Sequence, residues 1–203
     1  MKEYSAKDIR NVVLLGATKS GKTTLAEAML FEGKVIDRRG SVEEKNTVSD
    51  NDELEKLNQR SIYATPLYAE FMNKKINIID APGSDDFIGG AVSAFKVCEN
   101  GILVINAQQG VEVGTTGALR YAEKYNIPLV VAVNQLDGDK ADWEKTEAEL
   151  KEELGRKMII VQFPTSTGAG FDGFVDVLTN RYYHFKDNNG TREDLDIPAE
   201  FAD

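Results

Sequence analysis

Gly16, Gly21, Lys22 and Thr23 stand at the spacing G-x-x-x-x-G-K-[ST] within GATKSGKT, directly after the apolar run Val12 to Leu15 and directly before a helical pattern. That context gives the spacing a mechanism. Glycines let the backbone wrap around phosphate oxygens, so that N–H groups along Lys19, Ser20 and Gly21 face the anion, while the helix opening near Lys22 adds the positive end of its dipole. Lys22 is placed to reach the outer phosphates, Thr23 to set its hydroxyl on Mg²⁺, and Thr24 to help hold the inner phosphate. Asp80 ends the apolar run INIID, ahead of Pro82 and Gly83. A carboxylate at a strand's carboxyl end suits a second-shell or water-mediated Mg²⁺ ligand; a capping or turn aspartate is the plain alternative. Asn134-Gln135-Leu136-Asp137 then follow the run IPLVVAV. An aspartate there can accept two N–H bonds from the guanine edge, a pattern adenine lacks, and the wrong base leaves buried groups unpaired. In this order the three elements predict a site for GTP or GDP with Mg²⁺.

The elements that must carry these residues alternate. Bounded apolar runs at Asn11 to Leu15, Lys75 to Ile79, Gly101 to Asn106, Pro128 to Asn134 and Met158 to Phe163 read as buried strands. Helical periodicity occupies Lys22 to Leu30, Ile88 to Glu99, Gly114 to Tyr125 and Lys140 to Leu154. Strand followed by helix, repeated, predicts an α/β fold, a mostly parallel twisted sheet with helices on both faces and the ligand at the strands' carboxyl ends. Gly40 to Asn58 is rich in Glu, Asp, Asn and Ser, and its composition predicts a mobile surface segment.

Composition excludes several classes. A chain of 203 residues that is 41% hydrophobic has material for one sizeable core. A net charge of -10 repels bare phosphate backbones, so binding to naked nucleic acid or to an anionic membrane is not expected. A single cysteine, Cys98, excludes an intramolecular disulfide framework and suits a reducing compartment; it reads as a buried small hydrophobe. No apolar run approaches the roughly 20 residues of a membrane helix, and the expected location is cytoplasmic, the expected state a monomer. His184, in Tyr182-Tyr183-His184-Phe185, reads as a packing or surface residue, and Trp143 as a helix residue covering the core.

From IRNVVLLGATKSGKTTLAEAMLF through INIIDAPG and IPLVVAVNQLD to GTREDLDIPAEF, the chain resembles the translational GTPases, most closely the G domain of elongation factor G. The resemblance implies a P-loop NTPase fold, ribosome binding through the full-length protein, and movement of transfer and messenger RNA as the activity served. It also implies a first switch segment at Gly40 to Thr65, a second at Ala81 to Gly90 with Gly83 at the phosphates, a G-domain core over residues 1–157, and the start of an insert over 158–203. A fifth nucleotide motif would then lie after the insert, beyond this chain. The stretch Phe163 to Leu178 admits another reading, a strand, a base-contacting loop at Thr165 to Gly168 and a closing helix. A ribosomal-protection protein of the tetracycline-resistance type shares the same domain and stays open as an alternative.

Four positions depart from the family pattern. Ser84 stands where the family's D-[TA]-P-G-H has a water-positioning histidine, and a short hydroxyl with no titratable proton near neutrality is a poor replacement. Arg60-Ser61-Ile62-Tyr63-Ala64 stands where the family reads R-G-I-T-I, so Tyr63 falls at the threonine that senses Mg²⁺ and γ-phosphate; Thr65 is the substitute if the register slips. Lys19 replaces an aspartate, either neutralising phosphate or pointing to solvent. Gln135 replaces the lysine of N-K-x-D, which weakens packing over the base without altering the guanine preference. Taken together they predict weak or absent hydrolysis, against the alternatives of tolerated drift and an active ribosome-stimulated GTPase.

Overall fold

Val12 to Leu15 have no polar side chain to show to water, and a strand of that kind needs neighbours on both edges and both faces. The computed structural model, which describes residues 3–84, 88–186 and 190–201, supplies them. Asp85, Asp86 and Phe87, part of the expected second switch segment, lie outside the described residues. The chain divides into two compact units, residues 1–105 with 112–134, and residues 106–111 with 135–203.

In the first unit β1 (Ile9–Leu15) leads to α1 (Lys22–Glu32), α2 (Glu53–Asn58), β2 (Thr65–Phe71), β3 (Lys74–Asp80), α3 (Ile88–Phe95), β4 (Asn100–Asn106), α4 (Val113–Tyr125) and β5 (Leu129–Asn134). The sheet order is β2-β3-β1-β4-β5, with β1 parallel to β3 and β4. The register sets Leu14 beside Asp80, so the aspartate reaches the carboxyl edge just where β1 hands over to the glycine loop. Alternation sends Leu14 and Leu15 to opposite faces. Leu14, Ile78 and Ala69 pack with Ala26, Leu25 and Met29 of α1. Leu15 shares the lining of a small recess with Ala91 and Phe95 of α3 and Ala118 of α4. Phe95 also stacks on Tyr121 and Tyr125, ring centroids 6.4 and 5.8 Å apart. Each fully buried aliphatic side chain of this kind is worth about 1.5–3 kcal/mol.

Two expectations change here. β2 is a strand that the periodicity did not reveal, because Pro66 and the mixed faces of TPLYAEF are tolerated only at a sheet edge. It pairs antiparallel with β3 through a two-residue turn, Met72 and Asn73, both at positive φ of 47° and 59°. The polar segment Gly40 to Asn58 is built into the fold rather than simply solvated. It contains α2, capped by a reciprocal Asp52–Glu55 box, and it buries Thr47, Ser49, Asp50 and Glu55. Its polarity is used internally.

In the second unit α5 (Trp143–Leu154) is capped by Asp142, whose carboxylate accepts from Lys145 N–H at 2.9 Å. A four-stranded sheet follows, ordered β6 (Gln162–Pro164), β7 (Gly173–Asp176), β8 (Arg181–Phe185), β9 (Arg192–Leu195), all antiparallel. The apolar run Met158 to Phe163 therefore behaves differently from the expectation: only its end forms a strand, and Ile159 is 82% exposed. Phe163 to Leu178 contains no closing helix, since β7 occupies that place and Phe174 packs on Tyr183 and Phe185. Cys98 is buried, as its type suggested.

Candidate functional site

The loop from Gly16 to Gly21 is shaped by positions that only particular residues tolerate. Gly16 has φ +133°, and a Cβ there would stand 2.1 Å from the Val104 carbonyl oxygen. Gly21, at φ 99°, is the N-cap of α1, and Lys19 takes φ 65° with an exposed side chain. Lys22 is 5% exposed and donates to the carbonyls of Gly16 at 3.0 Å and Ala17 at 2.7 Å. Burial pushes its pKa down to about 8, against the opposing pull of the Asp80, Asp50 and Glu112 carboxylates. Gly83 leaves room for that ammonium: a Cβ there would lie 2.5 Å from Lys22 Nζ. Thr24 is exposed on the first turn of α1, and the buried Ser20 hydroxyl has no hydrogen-bond partner among the described residues.

Thr23 and Asp80 meet directly. The Thr23 hydroxyl donates to Asp80 Oδ2 at 2.7 Å, and the Ser49 hydroxyl donates to the same oxygen at 2.7 Å. Ser61 Oγ lies 3.1 Å from Thr23 Oγ1. Burial raises the pKa of Asp80 despite these bonds, and it raises that of neighbouring Asp50 to about 6. Asp80 Oδ1 and Asp50 Oδ1 are buried without hydrogen-bond partners among the described residues. Buried carboxylate oxygens are costly to leave unpaired, and a group of hard oxygen donors fits a small divalent cation such as Mg²⁺.

Ser49, Asp50 and Ser61 were not singled out as site residues in the sequence, and the signal that finds them lies in two buried glutamates. Glu27 of α1 is 1% exposed, and its carboxylate accepts from Gly40 N–H at 2.8 Å and Val48 N–H at 2.6 Å. Glu55 of α2 is 2% exposed, and its Oε1 accepts from Ile62 N–H at 3.0 Å and Tyr63 N–H at 3.1 Å. Buried acids at these spacings in a polar loop are a hint of loop anchoring that composition alone hides. The Tyr63 side chain is 52% exposed, and the Thr65 hydroxyl donates to the Ser49 carbonyl at 3.2 Å.

Ser84 follows Gly83 and, with it, lines a small recess together with Leu15, Gly16, Pro82 and Ala91. Asn134 closes β5 and ties it to the glycine loop, its Nδ2 donating to the Ser20 carbonyl at 3.0 Å. In the second unit Gln135 has φ 60°, and its Oε1 accepts from Asn106 Nδ2 at 2.9 Å. Gly168 N–H donates to the Leu136 carbonyl at 2.7 Å, which braces the turn that carries the exposed Asp137.

Comparison with known proteins finds relatives over nearly the whole chain. The family model of the elongation factor Tu GTP binding domain matches residues 7–190. An elongation factor G-like protein of Thermotoga maritima is 33% identical over 197 residues, 97% of this chain and 28% of that protein. Elongation factor G of Mycoplasma genitalium is 31% identical over 198 residues, 97% of this chain and 29% of that protein. The crystal structure of a Thermus thermophilus protein superposes with a TM-score of 0.87 at 32% identity, covering 95% of this chain and 28% of that one. The chain therefore spans less than a third of the length of these relatives.

Proposed function

Because the chain belongs to the elongation factor Tu GTP-binding domain family and is a translational GTPase G domain of the elongation factor G kind, we propose that it serves a ribosomal translocation factor that binds guanine nucleotide firmly and hydrolyses GTP weakly or not at all. The observation that carries the reading is the Thr23–Asp80 hydrogen bond at 2.7 Å at the strand end, with Lys22 beside Gly83 and Ser84 next in sequence. Lys22 and the N–H groups of Lys19, Ser20 and Gly21 hold the phosphates, with Thr24 on the inner one. Thr23, by its hydroxyl, and Asp80, second-shell or through water, would hold Mg²⁺, which would supply positive charge against the phosphate oxygens. Asn134 ties the end of β5 to the glycine loop, Asp137 reads the guanine edge, and Gln135, in place of the family's lysine, packs less over the base. Ser84 stands where the family's histidine orients the attacking water. Its hydroxyl has neither the reach nor the charge for that work, and loss of one well-placed group of this kind costs about 100- to 1,000-fold in rate.

Residues 1–157 act in this reading as the G-domain core and 158–203 as the insert region. Its support is that β6 pairs with β7 in the four-stranded antiparallel sheet that follows α5.

The test is GTP turnover by the protein with purified ribosomes, beside titrations with GTP, GDP and ATP. Tight guanine binding with turnover near background, and a gain on Ser84→His, is the expected result. Robust turnover by the natural sequence would overturn the hydrolysis reading while leaving the nucleotide site standing.

A further inference from the structure

Gly138 N–H donates to the Gln135 carbonyl at 3.1 Å and closes a four-residue turn with Leu136 and Asp137 at its centre. Gln135 opens that turn at φ 60°, a left-handed conformation that a residue with a side chain holds only where its surroundings fix it. A buried amide restrains it. Asn106, at the end of β4 and 8% exposed, donates through Nδ2 to Gln135 Oε1 at 2.9 Å and accepts Gln108 N–H on Oδ1 at 2.8 Å. Gln108 rests against the far end of the turn, its Nε2 lying 2.5 Å from where a Cβ on Gly138 would stand. Asn106 therefore grips the first residue of the turn directly and the last through Gln108. The segment behind it is held by α5: the Ala107 carbonyl accepts from Asp142 N–H at 3.0 Å, and Val111 N–H donates to Glu149 Oε2 at 2.8 Å. All of these groups belong to the second unit.

We infer that Asn106 is a positioning residue for guanine: through the Asn106–Gln135 amide pair it sets the turn so that the Asp137 carboxylate meets both N–H donors of the base. The inference rests on the guanine-nucleotide reading above and adds to it a residue outside the nucleotide motifs. Hydrogen-bond chemistry explains why a glutamine stands at position 135. The family pattern N-K-x-D has an ammonium there, which offers donors only. Asn106 Nδ2 is a donor too, and Asn106 Oδ1 is already engaged by Gln108 N–H. A lysine at 135 would set donor against donor where glutamine brings an acceptor. An aspartate at 106 would reverse this, taking Gln108 N–H on one oxygen and a lysine ammonium on the other. Positions 106 and 135 are thus a matched pair.

The experiment titrates GDP and inosine diphosphate, with Mg²⁺ present, against the natural sequence, Asn106→Ala, Gln135→Lys and the double variant Asn106→Asp with Gln135→Lys. Hypoxanthine lacks the 2-amino group of guanine, so the ratio of the two affinities reads how well Asp137 meets the second donor. Asn106→Ala is expected to lower that ratio by about fivefold or more, whereas a residue that only held the fold would weaken both nucleotides alike. Gln135→Lys is expected to lower it as well, and Asn106→Asp on that background to bring it back toward the natural value. An unchanged ratio in Asn106→Ala overturns the inference; where that variant does not fold, a double variant no more selective than Gln135→Lys overturns it. Equal binding of the two nucleotides by the natural sequence also overturns it while leaving the nucleotide site standing. Binding of neither is the different result that removes the guanine-nucleotide reading, and the inference with it.

Discussion

Lys22 is a buried ammonium whose hydrogen bonds are made by the carbonyls of its own loop, and its pKa is held near 8 chiefly by burial. Phosphate oxygens beside it favour the charged form and raise that value in the complex. Binding therefore takes up a proton in the interval between the two values. Guanine-nucleotide affinity is expected to be level below about pH 8 and to fall as pH rises beyond it, by about tenfold per unit until the raised value is reached. A GDP titration between pH 7 and 9.5 reads this directly, and a flat profile would mean that Lys22 is fully charged in the free protein at pH 9. The glycine loop, Asp80 and the Asn134–Asp137 tetrapeptide stand out in the sequence as residue types at fixed spacing. Ser49 and Ser61 do not, since serines in a polar stretch carry no pattern and their contacts with Asp80 and Thr23 form only as the fold closes.

At the scale of elements, α1 does more than open the phosphate loop. One turn beyond Thr23 it offers Glu27 to both ends of the Gly40–Val48 segment, so the helix that places Thr23 also fastens the loop that delivers Ser49. Glu27→Gln leaves one acceptor oxygen and sets an amide donor against a backbone donor, an unpaired buried contact that costs about 1–3 kcal/mol. Amide exchange is expected to speed up over residues 40–48 in that variant, while β1 and β3 stay protected. Uniform loss of protection across β1 would show a general structural role instead. The strands of the parallel sheet were readable because burial on both faces makes their runs continuous in Val, Ile and Leu. β2 was hidden by Pro66 and by its place at the edge, and α2 by a composition that is polar for internal use.

For the whole molecule, a ligand that binds only the folded form stabilises it by mass action, by about 2.7 kcal/mol at a hundredfold excess over its Kd. GDP with Mg²⁺ is expected to raise the Tm of this protein, and ATP at the same concentration is not; an equal rise with both would remove Asp137 as the source of base selectivity. Among the described residues no helix is long and apolar enough to cross a membrane. The amino-acid sequence by itself determined the alternation of strands and helices, the order of the nucleotide motifs and the family, because apolar periodicity and glycine spacing are local properties of a chain. Tertiary structure alone decided which hydroxyls reach the Thr23–Asp80 pair, that the polar Gly40–Asn58 stretch is anchored by two buried acids, and that Gln162–Pro164 joins an antiparallel sheet. Those outcomes depend on pairings between distant residues, where a donor's partner is chosen by the closing of the fold and leaves no periodic trace in the sequence.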